Sequence, residues 1–188
     1  MIKRLSIWLY QVSTSWLALL ALVIFLLFVA LVLPSQAARA DENASGAPTP
    51  DLSIYYSAQD LYHWAEAYGP LGRQAYIRAR LTFDVIWPLV YTFFLVTATS
   101  WSYKRAVAPQ SAWQYVNLIP LLGMLFDFLE NFSTSMVMLR FPQPTLVLAS
   151  LAGVFTMVKW GLMSASSIAL VVGVALVCLK WIKPRAGD

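Results

Sequence analysis

The sequence predicts an all-α integral membrane protein, with four transmembrane helices in an antiparallel bundle and a short amphipathic helix capping the non-cytoplasmic side. Of its 188 residues, 60% are hydrophobic and only 12% charged, a balance foreign to ordinary soluble domains. The apolar residues form four runs, each long enough at ~1.5 Å per residue to cross a hydrocarbon core of roughly 30 Å. Clusters of Lys and Arg flank these runs so that, with four crossings, they fall on one side.

Met1-Ile2-Lys3-Arg4 precedes a nearly uncharged run from Ile7 to Leu33, and residues 1–33 form an N-terminal anchor helix. This run exceeds the ~7–15 apolar residues of a secretory signal, so the anchor is expected to stay uncleaved despite the small residues of Ala37-Ala38-Arg39-Ala40. Residues 34–71 form a non-cytoplasmic linker and cap. From Pro34 to Asp51 the composition of Ala, Asp, Glu, Asn, Gly and Pro predicts a flexible linker. Asn43-Ala44-Ser45 has the form of a glycosylation acceptor and is given no weight. Ser57 is placed to cap an amphipathic helix that runs to Tyr68 and stops at Gly69-Pro70. Its aromatics Tyr62, Trp64 and Tyr68 suit an interfacial belt better than ligand stacking.

Residues 72–188 carry the three further crossings, at about 72–103, 113–139 and 145–182, which with helix 1 complete the bundle core. Within the second, Pro88 should either kink the helix or free a carbonyl near Asp84. The third contains Pro120, Gly123 and an acidic stretch, and ends at Phe141-Pro142-Gln143-Pro144. The last run is ~38 residues, which as a helix measures ~57 Å, well beyond the hydrocarbon thickness. Thr145 to Val158 must therefore project, lie against the membrane or pack on the cap, with a bend expected near Lys159-Trp160-Gly161. Gly161, Ser164, Ala165 and Gly173 suit close packing between helices.

Lys3 and Arg4, Lys104 and Arg105, and Lys180, Lys183 and Arg185 all fall on one side of a four-pass chain. The positive-inside rule makes that side cytoplasmic, so both termini are expected inside an inner or plasma membrane. The net charge of +4 is spent on these flanks, which argues against nucleic acid as a partner.

Phe126-Asp127-Phe128-Leu129-Glu130-Asn131 is the costliest segment, because ionisable groups at membrane depth are disfavoured by ~2.5–3.5 kcal/mol each on insertion scales and seek partners inside a bundle. Asp127, Glu130 and Asn131 share one helical face with Gly123 and Thr134. Arg80, Asp84, Pro88 and Tyr91 line one side of the second crossing, and Lys159 lies at the same depth of the fourth. One reading is a structural network of ion pairs and hydrogen bonds. The sharper reading is an outward-facing polar pocket roofed by the cap, with Asp127 or Glu130 as general base, oriented by Asp84. Asn131, Tyr91 and Lys159 would contact the ligand, and Arg78 and Arg80 would hold a headgroup phosphate or carboxylate.

Other chemistries lack their residues. His63 is the single histidine and Cys178 the single cysteine, which excludes an intramolecular disulfide, a thiolate zinc cluster and a bis-His haem; no metal site is assigned and no cofactor is specified. There is no GxSxG elbow or phosphate loop, and Gly69-Pro70-Leu71-Gly72 reads as a turn. Polar residues do not line the full depth, with only Thr97, Thr99, Ser166 and Ser167 in the cytoplasmic half, which argues against a channel. The functional expectation is binding of a lipid-like amphiphile, extended in one form to its processing. The alternative is an accessory or scaffold subunit of a larger membrane complex, prompted by the aromatic-rich surface and the long apolar Thr145 to Val158 segment.

Overall fold

The computed structural model describes residues 1–44, 46–109 and 111–182. Lys183 and Arg185, used above to assign topology, and Ser45 of the acceptor triplet lie outside the described residues. Among the described residues the chain is all-helical, with no strand. Four helical stretches are long and apolar enough to cross a membrane: Ser15–Ala44, Gly69–Ala106, Ala112–Arg140 and Leu146–Ile182.

The first stretch departs from the single run expected over Ile7 to Leu33. A separate helix α1 (Ile2–Val12) ends at Ser13, and Thr14 accepts a hydrogen bond from the Leu17 amide to start α2 (Ser15–Leu27). Pro34 does not end the helix either. Proline cannot donate to the carbonyl four residues back and its ring crowds that carbonyl, so the turn before it must widen. A π-helical turn over Phe28–Val32 provides that widening, and the helix continues as α3 (Leu33–Ala44). The expected flexible linker is thus corrected: Leu33–Ala44 is helical, and Asn43 bonds back to the Arg39 carbonyl at 2.6 Å. Its alanines and its continuity with an apolar helix outweigh the loop-like charges, since extending an existing helix avoids the cost of nucleation.

After a short 3₁₀ turn at Pro50–Leu52, α4 (Ala58–Ala67) begins at the expected cap, with Ser57 and Asp60 forming a reciprocal capping box. Gly69, at φ +62°, makes the turn that was expected to occupy residues 69–72, and α5 (Gly69–Leu81) starts at once with Pro70 in its first turn. A break at Thr82 separates α5 from α6 (Phe83–Ala106). A 3₁₀ segment, Ala112–Leu118, leads into α7 (Ile119–Arg140), and α8 (Leu146–Ile182) runs unbroken for 37 residues, through the point where a bend was expected.

Pro88 is fully buried inside an uninterrupted α6, and its missing N–H frees the Asp84 carbonyl. The Asn131 side-chain amide of α7 donates to that carbonyl at 3.4 Å. The α2 helix is held on α6 by stacked rings: Phe25 lies 4.7 Å from Phe94 and Phe28 lies 5.6 Å from Trp87, centroid to centroid. The α8 helix packs mainly on α7 and α6. Gly173 admits Ser102 and Tyr103 of α6, and Gly153 admits the Tyr56 carbonyl so closely that no Cβ would fit. Gly161, expected to be another close approach, faces open space. Half of the long α8 overhang is accounted for by α4 and the chain before it, which cover Ala149, Ala152, Gly153 and Thr156.

A second polar layer, unforeseen in the sequence, ties α1 to the far end of α6. Asn117 is fully buried; its amide donates to the Ser6 carbonyl (3.2 Å) and the Ser100 hydroxyl (3.1 Å) and its oxygen accepts from the Ser6 hydroxyl (2.9 Å). Nearby, Tyr10 donates to the Gln114 carbonyl at 2.7 Å and Lys104 to the Tyr10 carbonyl at 3.2 Å. Replacing Asn117 with Leu strands the Ser100 hydroxyl and leaves the Ser6 hydroxyl only the Gln114 carbonyl, so stability should drop by about 1–3 kcal/mol in equilibrium unfolding from detergent micelles; an unchanged midpoint would refute the role given to this layer.

Candidate functional site

The costly polar residues meet where α5, α6, α7 and α8 converge. The i, i+4 spacing of Arg80 and Asp84 survives the break at Thr82, and Arg80 Nη1 donates to Asp84 Oδ2 at 2.7 Å. Arg80 Nη2 pairs with Asp51 Oδ2, and the guanidinium lies over the Tyr76 ring at 4.2 Å. On α7, Asp127 accepts from the Tyr91 hydroxyl at 2.8 Å and the Asn131 amide at 3.1 Å. Lys159 reaches in from α8, with Nζ 2.5 Å from Glu130 Oε2 and 3.8 Å from Asp127 Oδ1. The Tyr56 hydroxyl donates to Glu130 Oε1 at 3.5 Å and accepts from Thr156 at 3.2 Å, which closes the network under α4.

Asp84, Asp127, Glu130, Asn131, Arg80, Tyr91 and Lys159 are therefore all buried in one connected cluster. Arg78 is not in it: its side chain is exposed and lines the outer wall of the adjoining cavity. His63 sits on the exposed face of α4, apart from the cluster. Sequence reasoning passed over Asp51, Tyr56, Tyr76 and Thr156. Asp51 lay in the segment taken for a flexible linker, and no periodic pattern marks it. Tyr56 precedes α4 and is placed by long-range contacts: Gly153 against its carbonyl, and Glu130 and Thr156 at its hydroxyl. Tyr76 had a usable signal, four residues before Arg80 on one helical face.

Beside the cluster lies a cavity of about 700 Å³. Arg80, Asp84, Asp127 and Lys159 form its charged side; Leu33, Phe83, Trp87, Tyr91, Trp160 and Met163 form the apolar side. Gln36, Arg39, Ala40 and Asn43 of α3 make one wall, so the helix that replaced the expected linker is part of the site. The α3 helix packs on α5, and neither α2 nor α3 makes comparable contact with α8, which leaves the gap between the first and last helices lined by Trp160 and Met163. Glu130 and Asn131 stand behind this surface and act on it through Lys159 and Asp127.

Comparison of the chain with protein-family models, curated proteins and solved structures gives no match.

Two predictions follow from the burial. Lys159→Met leaves Glu130 as an unpaired buried carboxylate and should cost about 3–5 kcal/mol, whereas Lys159→Met with Glu130→Gln should recover much of it; equal losses in single and double variants would contradict the pairing. Outside the crossings, burial pushes the Tyr68 hydroxyl, which donates to the Pro48 carbonyl at 3.1 Å, up to about 12 from an ordinary 10.0. Burial first, then the Glu130 charge, pushes Tyr56 up as well. The unfolded chain thus loses its tyrosine protons first as pH rises. The stabilisation is complete below the ordinary tyrosine value and should fade as pH climbs from there through the raised values. Phenolate absorbance during alkaline titration should show these two tyrosines ionising late, and loss of the late fraction in Tyr68→Phe and Tyr56→Phe would assign it.

Proposed function

We propose that the protein is an antiparallel four-helix bundle in the cell's inner or plasma membrane, with both termini cytoplasmic and α4 capping the non-cytoplasmic side. In this reading the cavity binds a lipid-like amphiphile taken up from the outer leaflet. The observation that carries it is the two-sided lining: Asp84, Asp127 and Lys159 face the same space as Trp87, Trp160 and Met163. Its volume, about 700 Å³, lies within the ~300–1,000 Å³ of small-molecule sites. The gap between the first and last helices gives a lipid tail lateral access. A structural network needs the ion pairs but not the cavity, which is why the binding reading is preferred.

The roles differ by position. Asp84, Tyr91, Asp127 and Lys159 touch the ligand; Asn131 and Glu130 are positioning residues behind Asp127 and Lys159; Arg80 holds Asp51 and Asp84 in place; Arg78 guards the outer rim. If the site also processes its ligand, Asp127 is the base, since it lines the cavity and Glu130 does not.

A second reading, the accessory subunit, is favoured by one observation. Leu146 and Val147 at the start of α8, with Leu52 and Ile54 nearby in sequence to Asp51, are largely exposed although they lie outside the ~20 residues a crossing needs, counted from Lys180. Native mass spectrometry of protein gently extracted from its own membrane separates the readings. The pocket predicts a lone chain or homo-oligomer carrying a defined lipid-sized adduct that is lost in Asp127→Asn. A stoichiometric assembly with unrelated chains and no adduct would establish the subunit reading instead.

A further inference from the structure

We infer that the amphiphile bound here carries a positively charged polar end, an amine or quaternary ammonium group, seated against Asp84 and Asp51; this rests on reading the cavity as an amphiphile site. The cluster's charges do not balance. Four carboxylates (Asp51, Asp84, Asp127 and Glu130) face two cations, Arg80 and Lys159. Both cations are already engaged. Arg80, 6% exposed, spends one terminal nitrogen on Asp84 and the other on Asp51, and Lys159 sits between Glu130 and Asp127. Each is thus shared between two carboxylates rather than held open for a phosphate or carboxylate, the role the sequence suggested for Arg80, although Arg80 Nε has no partner among the described residues. Against this cluster an anionic group would deepen the imbalance, whereas a cationic one relieves it; the exposed part of the cavity wall adds Asp41, Arg39 and Arg78.

A second observation is independent of the charge count. Asp84 is 9% exposed and lines the cavity; its Oδ2 bonds Arg80, and among the described residues its Oδ1 has no hydrogen-bond partner. Asp51, its side chain 34% exposed, lines the same cavity and among the described residues pairs through Oδ2 alone, with the other terminal nitrogen of Arg80. An ionised carboxylate oxygen only accepts, so what completes it is a donor or a cation. Trp87, Tyr91 and Trp160 line the same cavity, and aromatic rings suit alkylammonium groups. Arg39 and Arg78 lie on the outer wall, where a zwitterionic headgroup could also place its phosphate.

The test uses the full-length protein in nanodiscs and three probes with one common alkyl tail: an alkyltrimethylammonium, an alkylphosphate and an alkyl maltoside. Binding is followed by tryptophan fluorescence, which Trp87 and Trp160 should report. The alkyltrimethylammonium should bind at least about tenfold more tightly than the other two, and Asp84→Asn should erase most of that preference. Asp51→Asn, at the more open edge, should reduce it less, and it carries the test if Asp84→Asn does not fold. Equal or tighter binding of the phosphate or maltoside probe, or a preference that persists in the variants, would overturn the cationic assignment while leaving an amphiphile site. Absence of binding by every probe would overturn both readings.

Discussion

The ion pair of Lys159 with Glu130 governs the arrangement of the rest. A buried ammonium and a buried carboxylate are each costly alone, so the faces that carry them turn toward each other. That requirement sets the rotation of α8 against α7. Once it is set, Thr156, one turn before Lys159, comes under Tyr56, and Gly153, a further turn back, meets the Tyr56 carbonyl. The chain entering α4 is thereby docked on α8 by the same stripe that satisfies the charge. On α7 the same rotation sends Asp127 to Lys159 and Tyr91, and Asn131 to α6.

Asn131 illustrates how one side chain serves two demands. Pro88 deprives the Asp84 carbonyl of its helical partner, and Asn131 supplies a donor there while also bonding Asp127. The α6 helix stays continuous through the proline, and the carboxylate of Asp84 meets Arg80 across the Thr82 break. Breaking off α5 at Thr82 and widening the first helix at Pro34 have a common outcome: α3 and α5 lean together beyond the apolar crossings and enclose the outer part of the cavity. In the cluster beside it, two cations are each shared between two carboxylates.

Much of the cluster was legible because helical periodicity is a local property. Asp127, Glu130 and Asn131 at i, i+3, i+4, and Arg80, Asp84, Pro88 and Tyr91 on one side of the next helix, are visible as faces before any fold is known, and burial at membrane depth leaves them one place to go. Pro88 announced a freed carbonyl, and Ser57 announced a helix start. Asp51 and Tyr56 were illegible for the converse reason: they come from a segment of loop composition, and their partners lie far away in the chain. The helix over Leu33–Ala44 was hidden by its charges, because composition describes what a segment does alone and not as the extension of a helix already formed. Asn117 was overlooked since a single amide beside a loop resembles any surface residue; only the insertion of α1 beneath it explains its burial.

A high-resolution experimental structure of the protein in native-lipid nanodiscs tests the whole account most directly. It should show Lys159 between Glu130 and Asp127, and elongated non-protein density entering between the first and last helices and ending within hydrogen-bond reach of Asp84 Oδ1. A cavity closed by contact of α3 with α8, or one holding only water beside an intact ion cluster, would contradict it and leave the polar residues as structural glue.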